Sequence, residues 1–230
     1  MARLARVVAA GVPHHVTQRG NRRQDVFFCN EDYELYKSLL AEGCREAGVA
    51  VWAYCLMPDH VHLILVPKDE DGLRAALGET HRRYTRHVNQ RENWRGFLWQ
   101  GRFASFPMDS DHLLACARYV EMNPVRAKLV RRARDWRWSS VRAHLSGRGD
   151  ALVEPEPLLA RAGDWAAFLG ERFDAETLEA IRASARTGRP LGASAFVKRL
   201  EKRLGRTLVR QKPGRKPAKP APVPARDRKK

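Results

Sequence analysis

The sequence predicts an α+β fold: a ferredoxin-like antiparallel sheet with helices, a C-terminal helical appendage and a disordered basic tail. Three observations carry this. Strand and helix patterns follow one another as β-α-β-β-α-β in the first half of the chain, the order of a split βαβ unit. Helix-type patterning without strands fills roughly 151–205. From residue 206 on, ten Lys and Arg face a single Asp among Pro and Ala, a composition that cannot bury a core. The predicted units are 1–150, 151–205 and 206–230.

The first strand is "HHVTQRGN", short and β-branched, closed by a Gly-Asn turn and a basic loop. A helix follows over "NEDYELYKSLLAEGCREAG", with Asn30 as its N-cap, acids in its first turn and Gly48 after its last. Tyr36, Leu39, Leu40 and Ala47 form its apolar face. "VAVWAYCLMPDHVHLILVP" reads as a hairpin, Val49 to Leu56 and His60 to Val66, turning at Pro58-Asp59. A second helix, about Asp71 to Gln90, aligns Leu73, Leu77, Tyr84 and Val88. "FLWQGRFASFPM" supplies the last strand. A third helix, about Asp111 to Met122, takes Ser110 as N-cap and stops at Asn123-Pro124, because the residue before proline avoids helical angles. The two crossover helices should cover one sheet face and leave the other for something else.

The chain has 230 residues and a net charge of +17, with a pI near 10.5. Such a balance attracts polyanions, nucleic acid first. No apolar run of about eighteen residues exists to span a membrane, and the N-terminus makes a poor signal peptide. Cys29, Cys44, Cys55 and Cys116 form no C-x-x-C pair and read as buried thiols in a reducing cytoplasm.

His60 and His62 are two apart on a strand and so share a face, with Ile64 and Val66 beyond them, while Val61, Leu63 and Leu65 face the other way. Both sides are apolar, which predicts a central strand covered on both faces. Two neighbouring imidazoles can hold a divalent ion, but H-x-H alone is a weak signal and more often the mark of two core residues. In "ARYVEMNPVRA", Tyr119 and Asn123 are four apart, about 40° from each other on a helical wheel, beside the apolar stripe of Leu113, Cys116, Ala117 and Val120. From the residues alone Tyr119 reads first as a boundary tyrosine with its hydroxyl in water, and Asn123 as a helix terminator.

These stretches together carry a resemblance. "HHVTQRGNRRQDVFF", "LMPDHVHLILVP", "LWQGRFASF", "YVEMNPVRA" and "WRWSS", in this order over about residues 5–145, resemble the HUH-type tyrosine transposases, and among them the REP-associated tyrosine transposases of bacteria. The resemblance implies a palm domain that cleaves and rejoins single-stranded DNA at sites flanked by palindromic hairpins. It implies His60 and His62 as metal ligands, Asn123 as the third, Mg²⁺ or Mn²⁺ as the ion, and Tyr119 as the nucleophile of a 5′-phosphotyrosine step. It further implies a bacterial cytoplasmic, nucleoid-associated protein, monomeric or homodimeric. The turn residue Asp59 stands where the family often has Asn. A rival reading keeps the fold and the DNA or RNA binding without the chemistry. A third is a water-using metal phosphohydrolase.

Arg19, Arg22 and Arg23 in one loop, Arg82, Arg83 and Arg86 on the second helix, and Arg102 in "WQGRF" are the expected nucleic-acid contacts, near aromatics that suit base stacking. Tyr84 reads as core rather than as a second nucleophile. His15 and His81 read as structural. Asp25 and Glu121 remain without a role.

Overall fold

The computed structural model describes residues 5–209. Strands β1 (His14–Arg19), β2 (Val49–Met57), β3 (His60–Pro67) and β4 (Ala104–Pro107) form one antiparallel sheet in the order β2-β3-β1-β4. Between and after them run α1 (Asn30–Glu46), α2 (Gly72–Arg91), α3 (Ser110–Glu121), the single turn α4 (Asn123–Arg126), α5 (Val141–Ser146), α6 (Glu156–Ala162), α7 (Trp165–Gly170), α8 (Ala175–Thr187) and α9 (Ser194–Leu204). This is the predicted α+β arrangement with its central hairpin.

Each sheet face has its own core. Val16, Val61, Leu63 and Leu65 meet Tyr36 and Leu40 of α1 and Leu73, Leu77 and Tyr84 of α2. On the opposite face Ala53, Cys55, Ile64 and Phe106 meet Leu113, Cys116, Ala117 and Val120 of α3, together with Leu158, Trp165, Ile181 and Leu191. A fully buried large apolar side chain contributes about 1.5–3 kcal/mol, so each layer is a substantial stabilising element. The second face is therefore closed by α3 and by helices from the segment read as an appendage. α9 packs separately, Phe196 and Leu200 against Val7, Ala9 and Leu208.

β2 changes face along its length. A bulge between Val51 and Ala53 shifts the register, so Val51 joins the α1–α2 core while Ala53 and Cys55 join the other. The Pro58-Asp59 turn is held from outside: Val26 N donates to Pro58 O at 2.8 Å and Gly20 N to Asp59 O at 2.7 Å.

Several boundaries differ from expectation. The N-cap of α1 is Cys29, which is exposed, while the other three thiols are buried; Asn30 is already helical. The N-cap of α3 is Asp109, whose carboxylate accepts from His112 N at 3.1 Å; Ser110 is the first helical residue. Asn123-Pro124 does not end the helical path. α3 stops at Glu121, and α4 resumes with Pro124 in its first turn, where no N–H is needed. The segment 206–209 is ordered: Leu208 is buried, and Leu208 N donates to Glu201 Oε1 at 2.7 Å. The basic stretch 210–230 lies outside the described residues.

Candidate active site

The ladder brings the candidate residues together. β1 pairs with β3 so that Arg19 lies opposite His60, Thr17 opposite His62 and His15 opposite Ile64. Directly paired residues share a face, so His60, His62, His15 and Arg19 belong to one side, the side covered by α3. His14 falls on the other, where its Nδ1–H donates to Val12 O at 2.7 Å.

Each ring nitrogen Nδ1 of the pair has a partner. His60 Nδ1–H donates to the Asp59 carboxylate. His62 Nδ1 and His15 Nε2 share a hydrogen bond of 2.9 Å, the two rings lying parallel, 5.1 Å between centroids. His60 and His62 meet edge to face at 4.9 Å. Metal-binding imidazoles typically tie one nitrogen to a carboxylate or other group and offer the second. Here the free nitrogen of both residues is Nε2. For His62 to offer it, His62 Nδ1–H donates and His15 Nε2 accepts.

Protonation favours ligation. Burial drives the His62 pKa well below the ordinary imidazole value, helped by His60, His15, Arg126 and Arg19. Burial likewise takes His15 down to about 3, with Arg126 assisting. Burial opposes ionisation of Asp59, but its bond to His60 and the fields of His60 and Arg19 outweigh this, and its carboxyl lies below its usual range. His15 and His62 are thus neutral near pH 7, the form a metal needs.

Tyr119 reaches the same place from α3. Its ring stands edge to face against His62 at 5.7 Å and against His15 at 6.0 Å. It is half-buried between the buried Arg118 and Val120. Asn123 is buried at the α3–α4 junction. Among the described residues no three His, Cys, Asp or Glu side chains form a closed cage. The donor set that fits a divalent ion is therefore His60 and His62, with the Asn123 amide as the neutral candidate for completing it.

α3 is firmly anchored. Glu121 is fully buried; its Oε1 accepts from Ser140 Oγ at 2.5 Å and from His144 Nδ1 at 2.6 Å, and its Oε2 from Trp165 Nε1 at 2.8 Å. Arg118 pairs with Glu171. Glu121, without a role by sequence, is a clamp.

The basic residues divide. Arg19 ends β1 beside the imidazoles rather than lying in the loop. Arg22 and Arg23 follow in a 3-10 turn, exposed, with left-handed φ of 55° and 62°. That turn is strapped to the next loop by Asn21 N donating to Leu98 O at 2.8 Å, and the same loop exposes Trp94 and Phe97, the latter by 86%. Arg102 is exposed just before β4. Arg82, Arg83 and Arg86 are not brought to the imidazole side: α2 covers the opposite face, and Arg82 and Arg83 pair with Glu79 and Glu42. Tyr84 is buried, its hydroxyl donating to Val26 O at 2.6 Å. His81 accepts or donates at Tyr36 Oη, 3.0 Å away. Two participants escaped the sequence reading. His15 reads in sequence as a lone histidine, and only the strand register reveals its partner 47 residues on. Arg126 sat unremarked inside "NPVRA"; its guanidinium lies 4.0 Å from the Tyr119 ring centroid.

Comparison with known proteins agrees with this geometry. The sequence model of the family described as "Transposase IS200 like" matches residues 10–123, from the start of β1 to Asn123. A Haemophilus influenzae protein described as a REP-associated tyrosine transposase is 26% identical over 116 residues, 46% of this chain and 66% of that protein, just under two thirds of its length. A solved REP-associated tyrosine transposase, bound to a REP hairpin, superposes with a TM-score of 0.56 at 20% identity, over 76% of this chain and all of that one. No helix among the described residues is long and apolar enough to cross a membrane. The stretch that carries the sheet with His60 and His62 and the helix with Tyr119 thus belongs to the IS200-like transposase family, and the chain is similar to REP-associated tyrosine transposases.

Proposed function

We propose that this chain is a metal-dependent strand transferase that cleaves and rejoins single-stranded DNA at hairpin-flanked sites through a 5′-phosphotyrosine intermediate on Tyr119. The observation that supports it is the meeting of the Tyr119 ring with an imidazole pair whose Nδ1 atoms are both tied back.

His60 and His62, with Asn123, would hold Mg²⁺ or Mn²⁺. Such an ion supplies Lewis-acid polarisation of the scissile phosphate when bound. The Tyr119 hydroxyl attacks phosphorus in line; the P–O bond to tyrosine forms, the P–O3′ bond breaks, and the 3′ oxygen leaves as a hydroxyl. The cations beside the site, Arg126 over the Tyr119 ring and Arg19 near His62, favour negative charge developing on the attacking oxygen. The ester energy is kept in the phosphotyrosine bond, so a 3′-OH can reverse the step without ATP, and the sequence has no G-x-x-x-x-G-K-[ST] loop. Arg22 and Arg23, with Trp94 and Phe97, suit the backbone and bases of an unpaired strand leading from the site. The chain would work on DNA in a bacterial cytoplasm.

A labelled hairpin oligonucleotide with a single-stranded flank, incubated with Mg²⁺ or Mn²⁺, should give a denaturation-resistant protein–DNA adduct that Tyr119→Phe abolishes. Tight binding with no adduct in either metal would instead identify a non-catalytic DNA-binding protein. Cleavage that survives Tyr119→Phe would identify a water-using nuclease.

A further inference from the structure

We propose that Arg126 grips the scissile phosphate while Tyr119 attacks it; this rests on the strand-transfer reading above and deepens the same site. The break at Met122 and the single turn of α4 bring Arg126 back over the helix that carries the nucleophile. Its guanidinium carbon lies 4.0 Å from the Tyr119 ring centroid, and its Nη1 donates to the Tyr119 carbonyl at 2.7 Å. That carbonyl is among the last four of α3, which a helix end leaves open. One N–H is thus used for anchoring, and the stack on the ring fixes the plane of the fork.

What this cation lacks is an anion. Arg118 has Glu171, Arg91 has Asp32 and Arg132 has Asp135. Among the described residues no carboxylate lies within 4.0 Å of Arg126. The groups around it are Tyr119, His15, His62, Cys55, Phe173 and a second cation, Arg182 of α8. Burial lowers its pKa from the ordinary arginine value, and Arg182 adds to this. Holding a half-buried guanidinium without a counter-ion is unfavourable unless an anion arrives from outside. Beside a nucleophilic phenol and a metal-competent imidazole pair, the anion of matching shape is a phosphodiester, whose two non-bridging oxygens accept from a guanidinium fork. During attack the P–O bond to Tyr119 forms as the P–O3′ bond breaks; the phenol gives up its proton to solvent, and the 3′ oxygen takes one. The non-bridging oxygens stay charged throughout, so the same contact serves the diester, the transition state and the phosphotyrosine. Arg126 moves no proton.

A purely structural role, tying α4 to α3, is the competing explanation, and a charge-deletion cycle separates the two. The wild-type adduct first identifies the cleaved linkage. In the full-length Tyr119→Phe chain with EDTA, the affinity for the single-stranded oligonucleotide is then compared with that for the same strand carrying one neutral methylphosphonate at that linkage. With Arg126 present, neutralising that phosphate should weaken binding about ten-fold, as for a lost charged hydrogen bond. With Arg126→Gln added, the ratio should fall to within about two-fold. A structural tie would lower both affinities alike and leave the ratio intact, which overturns the proposal, as does a ratio near one with Arg126 present. Arg126→Lys, which keeps a cation over the ring, should keep part of the ratio, and supplies the comparison if the Gln variant does not fold. If wild type forms no adduct with any hairpin substrate, the strand-transfer reading fails first, and this one with it.

Discussion

Replacing Glu121 should separate the support of the nucleophile helix from its chemistry. The carboxylate is fully buried and accepts from three donors at 2.5, 2.6 and 2.8 Å. In Glu121→Gln the amide can keep its oxygen toward Trp165 Nε1, a donor with no alternative. The NH₂ then faces Ser140 Oγ and His144 Nδ1. Ser140 already has Tyr54 O within 3.2 Å as a second acceptor. His144 Nε2 is buried without a partner, so His144 can shift its proton there and accept through Nδ1. The loss is then about 1–2 kcal/mol, one or two ordinary hydrogen bonds. In Glu121→Ala the Trp165 and His144 donors are both stranded beside a cavity, and the loss rises to about 3–5 kcal/mol. For a chain of this size 1 kcal/mol moves Tm by about 2–4 °C, giving drops of about 2–8 °C for Gln and at least about 6 °C for Ala. Thermal unfolding followed by circular dichroism at pH 7 measures both. An Ala variant melting within 2 °C of wild type would refute the clamp; a Gln variant as damaged as Ala would refute the rearrangement.

Three further outcomes follow from the same coordinates. His15→Phe removes the acceptor that holds the His62 proton on Nδ1, so Mn²⁺ binding by calorimetry in a Tyr119→Phe background should weaken about 10–100-fold; His15→Gln should lose less, and unchanged binding in the Phe variant would dismiss the role. His14 and His15 are buried, with pKa values lowered to about 4 and 3, whereas unfolded imidazoles titrate near 6.5. Between these values the unfolded state binds more protons, so stability is highest above pH 6.5 and declines as pH falls, by about 2 kcal/mol per histidine at pH 5; denaturant midpoints that stay flat from pH 7.5 to 5 would contradict this. Phe97→Ala should leave Tm unchanged, because the side chain is 86% exposed. It should also weaken binding of unpaired oligonucleotides about 5–100-fold, the worth of one stacked base; equal loss on a blunt duplex would point away from stacking.

What the sequence disclosed, and what it hid, follows from the range of each signal. Alternation and turn residues are local, and they located β1, β2 and β3 within a few residues, whereas the run read as the last strand starts at Phe97 and β4 only at Ala104. The two-sided burial of β3 was legible because Val61, Leu63 and Leu65 alternate with His62 and Ile64, both sets apolar enough for a core. The cover of the second face was not legible: an amphipathic helix announces a buried stripe but not its partner, so α6–α8 read as an appendage. The bulge in β2 was hidden too, since strict alternation would keep Val51, Ala53 and Cys55 on one side. His15 illustrates the same limit within the site, because its significance depends on register across two strands.

The position of Tyr119, the proposed nucleophile, on α3 gives the arrangement its logic. Arg118 and Glu121, which flank Tyr119 on the last turn, are buried and fixed, one to Glu171 and the other to Ser140, His144 and Trp165. Tyr119 lies between them on the half-exposed shoulder of the helix. A phenol must meet phosphorus in line and within about 3–3.5 Å. That tolerance is narrower than the play of a helix end held only by apolar contact. Directional bonds to α5 and α7 remove the play, while the break before Pro124 turns Arg126 back toward the same ring. The C-terminal helices would therefore serve the proposed chemistry by fixing the last turn of α3 over the imidazole face.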